Sequence, residues 1–161
     1  MNSPIKKILV NIDGTEQSIT AAQYAIVLAK YLQAELNAIY VINTKALEDL
    51  VRAHIFLKEE QSEYERDLRE DAIRYLKHVA QLGRKKGIEI KTHSAEGSGH
   101  KEILNFVKEN EIDLLVVGEI SSIRSRRDEF YDETERAIRA VPCSVLIVKD
   151  EDKVWELYES L

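Results

Sequence analysis

Five short apolar runs rich in branched side chains, each followed by a stretch with helical spacing, constrain this chain more than any other feature. They are KKILVNI at 6–12, AELNAIYVIN at 34–43, IEIKTHS at 88–94, IDLLVVG at 112–118 and CSVLIVKD at 143–150. Alternating buried strands and helices imply an α/β, doubly wound, mostly parallel sheet with helices on both faces, joined by right-handed crossovers. The intervening stretches fit. Ala22, Ala25, Ile26, Ala29 and Leu32 fall on one helical stripe, with Gln23 and Lys30 outside it. Leu68, Ala72, Tyr75, Leu76, Val79 and Leu82 make a second stripe, closed by GRKKG at 83–87. Ile103, Phe106 and Val107 form the inward side of a third, and Thr134, Ala137, Ile138 and Val141 mark a fourth, stopped by Pro142. Between the second run and its long helix, Leu47, Leu50, Val51 and His54 have the spacing of an extra helical turn or two over the sheet edge.

At 161 residues the chain suits one domain, read as 1–150, with a helical tail over 151–161 whose Val154, Leu157, Tyr158 and Leu161 make a stripe suited to clasping a partner subunit. Cys143 lies in an apolar run and reads as a small buried hydrophobe in a reducing compartment. The apolar run of MNSPIKKILV is too short for a signal peptide and nowhere do about 18 apolar residues run together, so the expected setting is cytoplasmic, with no membrane. A net charge of −6 argues against a nucleic-acid partner.

Three segments, KKILVNIDGTEQSITAAQYAIVLAKYLQAELNAIYVI, AEGSGHKEILNFVKENEIDLLVVG and AIRAVPCSVLIVKD, together resemble the universal stress protein family in order and spacing over nearly the whole chain. The resemblance implies strand order 3-2-1-4-5, a cytoplasmic homodimer and, in one branch of the family, ATP binding. With that order the chain leaves strands 1 and 4 in opposite directions and opens a crevice at their carboxyl ends. The nucleotide-binding branch places a glycine at the end of strand 4, a second after two residues, and a third after nine more followed by Ser or Thr. Here Gly118 matches the first, but Ser121, Tyr131 and Asp132 stand at the others, and Thr134 matches a Ser or Thr common two positions on. Asp13 and Val41 match residues on the sugar and base side, and Asn11 replaces the usual proline. The candidate nucleotide crevice is thus Ile12, Asp13, Val41, Val117, Gly118, Ser121 and Thr134, its base side kept and its phosphate side altered.

Arg124, Arg126 and Arg127 offer either charge-assisted contacts to phosphate or a solvated balance to Asp128, Glu129, Asp132 and Glu133. Ser121, Ser122 and Ser125 beside them are candidate phosphorylation positions. His93, Glu96 and His100 lie close in sequence, but their spacing fits no standard metal pattern. No convincing general base or nucleophile set is visible, so no catalysis is expected, a slow ATPase ranking last. The last strand, Ser144 to Val148, is an apolar edge under the implied order and is expected to pair with its copy in a homodimer. Two readings remain. One is a stress-response protein that acts by binding an unidentified protein partner, with no cofactor. The other holds ATP, AMP or a cyclic nucleotide through Asp13, Val41 and Gly118.

Overall fold

The computed structural model describes residues 3–53, 57–120 and 129–161, side chains at 46, 50 and 129–132 excepted. The strands are β1 (Lys7–Ile12), β2 (Glu35–Ile42), β3 (Ile90–Glu96), β4 (Leu114–Gly118) and β5 (Ser144–Val148). The helices are α1 (Glu16–Leu32), α2 (Thr44–Arg52), α3 (Lys58–Arg84), α4 (Gly99–Glu109), α5 (Glu129–Ala140) and α6 (Glu151–Glu159). All four strand pairings are parallel and the order is β3-β2-β1-β4-β5, the doubly wound arrangement expected. None of the described helices is long and apolar enough to cross a membrane.

Period-two geometry sends alternate strand residues to two separate cores. Ile8, Val10 and Ile12 of β1, Leu36, Ala38, Tyr40 and Ile42 of β2, and Leu114 and Val116 of β4 face the layer of α1, α3 and α6. Leu9, Ile39, Leu115 and Val117 face the layer of α4 and α5, where they meet Ile103, Val107, Ala137 and Val141. Burial on both faces explains why β1, β2 and β4 read as continuous apolar runs rather than alternating ones. Toward β3 the second face is more polar. There His93 packs its ring 4.6 Å from that of Phe106 and bonds Asn37 at 3.0 Å.

The helix stripes hold with one correction. Gln23, expected on the outer side of α1, is buried, as are Ser18 and Thr20. The physical reason is a third neighbour: α1 packs on the sheet, on α3 and on the terminal helix α6, so its buried face is wider than one apolar stripe. The stripe of α6 is likewise engaged within its own chain. Val154 and Tyr158 are buried in the first core, and the Tyr158 hydroxyl donates to the Leu82 carbonyl at 2.7 Å. Trp155 stays half exposed. The extra turns after β2 form α2, with Leu47 buried; His54 lies outside the described residues.

Gly118 fixes how β4 meets α1. A Cβ there would stand 2.5 Å from the Gln17 carbonyl oxygen and 2.6 Å from its carbon, backbone that cannot swing aside. The absent side chain therefore lets the end of β4 touch the first turn of α1. Overpacking a tight interior costs about 1–3 kcal/mol or more when the obstacle is main chain. Gly118→Ala should lower stability by at least that much in urea unfolding, and a change below about 0.5 kcal/mol would show that this contact gives way easily.

Candidate functional site

The crevice forms where β1 and β2 end and their chains turn away to α1 and α2. Asp13, just past β1, folds its carboxylate back: Oδ1 accepts from the Thr15 amide at 3.0 Å and the Thr15 hydroxyl at 2.5 Å. Thr15 in turn caps α1 by accepting from the Ser18 amide, while the Asp13 amide donates to the Ser18 hydroxyl. Gly14 between them has φ +83°, and a Cβ on it would meet the Tyr75 ring at 2.9 Å. Glycine is thus required twice over, by the turn and by the aromatic packed against it. Tyr75 stacks in parallel on Tyr40 with ring centroids 6.3 Å apart. Burial, helped by the Asp71 and Asp13 charges, pushes the Tyr40 phenol up to about 12, so it remains a neutral hydroxyl.

The resulting cleft has a volume of about 330 Å³. Ile12, Asp13, Val41 and Thr134 all line it, so four of the residues read from the sequence come together. Gly118 lines an adjoining recess of about 160 Å³ at the first turn of α1, shared with Asp13, Thr15 and Thr134. Val117 is fully buried among the residues facing α4 and α5. Ser121, the other serines of the loop and its three arginines lie outside the described residues, as do the side chains of Tyr131 and Asp132.

Two walls went unread in the sequence. One comes from α3, whose first turns reach over the cleft with Tyr64 and Leu68. Arg69 beside them bonds Glu96 at the end of β3, 2.6 Å from Nε to Oε1, which ties the helix to the sheet. The four-residue spacing of Tyr64 and Leu68 was the available signal, but only the path of α3 turns it toward the cleft.

The second wall is Glu133 of α5. Ser98 occupies the N-cap of α4, yet its hydroxyl makes no cap bond. The Glu133 carboxylate fills that role from another helix. Its Oε2 accepts from the His100 amide at 2.8 Å, the Ser98 hydroxyl at 3.1 Å and His100 Nδ1 at 2.5 Å. The Glu133 Cβ sits 3.1 Å from where a Cβ on Gly99 would lie. The glycine therefore makes room for the crossing side chain. Burial would raise the Glu133 carboxyl, but the His100 amide, His100 Nδ1 and the Ser98 hydroxyl outweigh it and hold it below the ordinary carboxylate range.

His93, Glu96 and His100 do not converge on a metal. Each is paired elsewhere: His93 with Asn37, Glu96 with Arg69 and His100 with Glu133. Among the described residues no group of three potential ligands is close enough to hold an ion. Burial, then the Lys91 charge, keeps His93 below its ordinary value.

Since the Glu133 carboxyl is held down in the folded protein, the unfolded chain binds more protons in the acid range. Its contribution to stability is whole above the ordinary glutamate value and is lost as pH falls through the lowered one. Thermal unfolding of Glu133→Gln should therefore fall less steeply with acid than that of the parent, and parallel acid limbs would contradict the assignment.

Residues 4–149 match the family model described as the universal stress protein family. The chain is 33% identical to universal stress protein MJ0531 of Methanocaldococcus jannaschii over 148 residues, 92% of this chain and 84% of that one. It is 30% identical to universal stress protein YxiE of Bacillus subtilis over 149 residues, 89% and 98% of the two chains. Among solved structures it is similar to universal stress protein UspA from Lactobacillus plantarum, with TM-score 0.72, 23% identity and coverage of 92% and 100%. It also shares the fold of a universal stress protein in complex with cAMP, with TM-score 0.67, 17% identity and coverage of 91% and 99%. A universal stress protein from Archaeoglobus fulgidus in complex with dAMP gives TM-score 0.63, 15% identity and coverage of 91% and 100%. The sheet order, the turn at Asp13 and the matches over nearly the full length agree: this chain belongs to the universal stress protein family.

Proposed function

We propose that this protein works by binding rather than catalysis, as a dimeric stress-response regulator whose crevice takes an adenine nucleoside or its monophosphate in preference to ATP. The observation that carries this reading is that Asp13 and Val41 line one cleft of about 330 Å³. That lies at the small end of ligand pockets, about 300–1,000 Å³. The recess of about 160 Å³ beside Gly118 has room for one phosphate more readily than three. Gly118 is also the one glycine of the three-glycine pattern in this sequence, and its bare Cα is taken up by contact with α1. The relatives solved with cAMP and with dAMP lend weight to an adenine monophosphate as the ligand class.

Non-catalytic action is supported by the bonding of Ser98, His100 and Glu133. In a nucleophile triad the hydroxyl meets one imidazole nitrogen and the carboxylate the other. Here both approach Nδ1, and the serine proton is directed at the carboxylate. Dimer formation is supported by β5, an edge strand whose Ile147 is 41% exposed. Apolar edges of this kind are normally paired or covered.

Calorimetric titration of nucleotide-free protein with adenosine, AMP, cAMP and magnesium-ATP tests the ligand. Micromolar binding of adenosine or AMP, at least about tenfold weaker ATP binding and no phosphate release are expected, tenfold being about 1.4 kcal/mol. Tighter ATP binding with steady turnover would overturn the reading, as would no heat from any of the four at millimolar concentration. For the interface, sedimentation at micromolar concentration should give a dimer for the parent and a monomer for Ile147→Lys. A monomeric parent would remove the edge-pairing proposal.

A further inference from the structure

The polar lining of the crevice has a feature that the ligand class alone does not explain: its described acids are Asp13, in the turn after β1, and Glu133, on α5. Asp13 is already engaged in its own turn through Thr15. Glu133 is different, because it reaches across from α5 to satisfy donors belonging to α4. The first turn of a helix offers amides and a partial positive charge to an anion. Three donors there, the His100 amide, His100 Nδ1 and the Ser98 hydroxyl, converge on one carboxylate oxygen. The Glu133 side chain is only 18% exposed, so its charge is poorly screened from whatever enters the cleft beside it. Arg136 approaches the other oxygen from one side at 3.7 Å, too far for a hydrogen bond and largely solvated itself.

We infer that Glu133 is a specificity-determining residue of the crevice: a built-in carboxylate that occupies the anion position over α4 and ranks ligands by how little phosphate they carry. The inference rests on the reading of the crevice as a nucleoside site, and deepens it. A nucleoside carries no charge for Glu133 to oppose. A monophosphate is accommodated by turning its phosphate toward the Gly118 recess, which Glu133 does not line. Each further phosphate brings more negative charge near a carboxylate that is held ionised by three donors, and the repulsion grows with that charge. The order of affinity is therefore adenosine and AMP above ADP, and ADP above ATP.

The test uses two variants of the full chain. Glu133→Gln removes the charge while keeping an acceptor for the α4 donors, and Glu133→Ala vacates the position. Calorimetry with adenosine and ATP should show the ratio of ATP to adenosine affinity rising on the order of tenfold in Glu133→Gln, as loss of one nearby like charge predicts. Inorganic phosphate should raise the melting temperature of Glu133→Ala at millimolar concentration, and leave the parent unchanged. If adenosine binds and the ratio of ATP to adenosine affinity is the same in parent and Glu133→Gln, Glu133 does not set specificity and the inference falls while the nucleoside reading stands. If neither adenosine nor AMP binds the parent, the nucleoside reading falls. The phosphate arm then decides whether Glu133 guards an anion position: a shift confined to Glu133→Ala supports it, and no shift overturns it. Should Glu133→Ala not fold, the ATP response of Glu133→Gln decides the matter.

Discussion

Burial of β1 on both faces is the constraint from which the rest follows. Its Ile8, Val10 and Ile12 commit to one core and Leu9 to the other, so the strand must be central and must carry helices above and below. With β2 on one side and β4 on the other, the helix that follows β1 packs on one face of the sheet and the helix that follows β4 on the other. The recess beside Gly118 opens at that point, and the larger cleft opens next to it where β1 and β2 end. The crevice is thus a by-product of packing before it is a site, and what makes it selective is the handful of side chains that happen to border it.

Much of this architecture was legible because each signal was local. Continuous branched runs mark strands buried on both sides, and the stripes of α1, α3, α4 and α5 repeat at helical spacing. Gln23 shows where locality ends. Its burial goes with a buried face of α1 widened by packing against α3 and α6, segments far along the chain, and no periodicity within α1 contains that information. The stripe of α6 was visible, but its partner was not: Val154 and Tyr158 serve this chain's own core.

The candidate site divides in the same way. Asp13, Val41 and Thr134 were recognisable by position, and the fold brings them to one cleft. Gly118 was also recognised, though its closest constraint is the backbone of Gln17. In the sequence Glu133 is one of several acids that can balance a basic loop. Its bonds to Ser98 and His100 join residues more than thirty positions apart, and sequence spacing cannot announce a cap donated by a different helix. Tyr64 and Leu68 were hidden for a related reason, since their use depends on how far α3 extends past the sheet before descending onto it.

The closure made by Tyr158 also bears on the order in which the molecule can be assembled. Its hydroxyl reaches the carbonyl of Leu82, and its ring and Val154 complete the core begun by β1 and α1. Contacts between the first and last quarters of a chain require a large loop to close before they return any free energy. On a translating ribosome, the α1 surface therefore stays uncovered until α6 has emerged, and the half-built protein presents that face to chaperones or to other nascent chains. Helix α6 acts as a late closure: the layer that α1 begins is sealed only once residues 151–161 have been made.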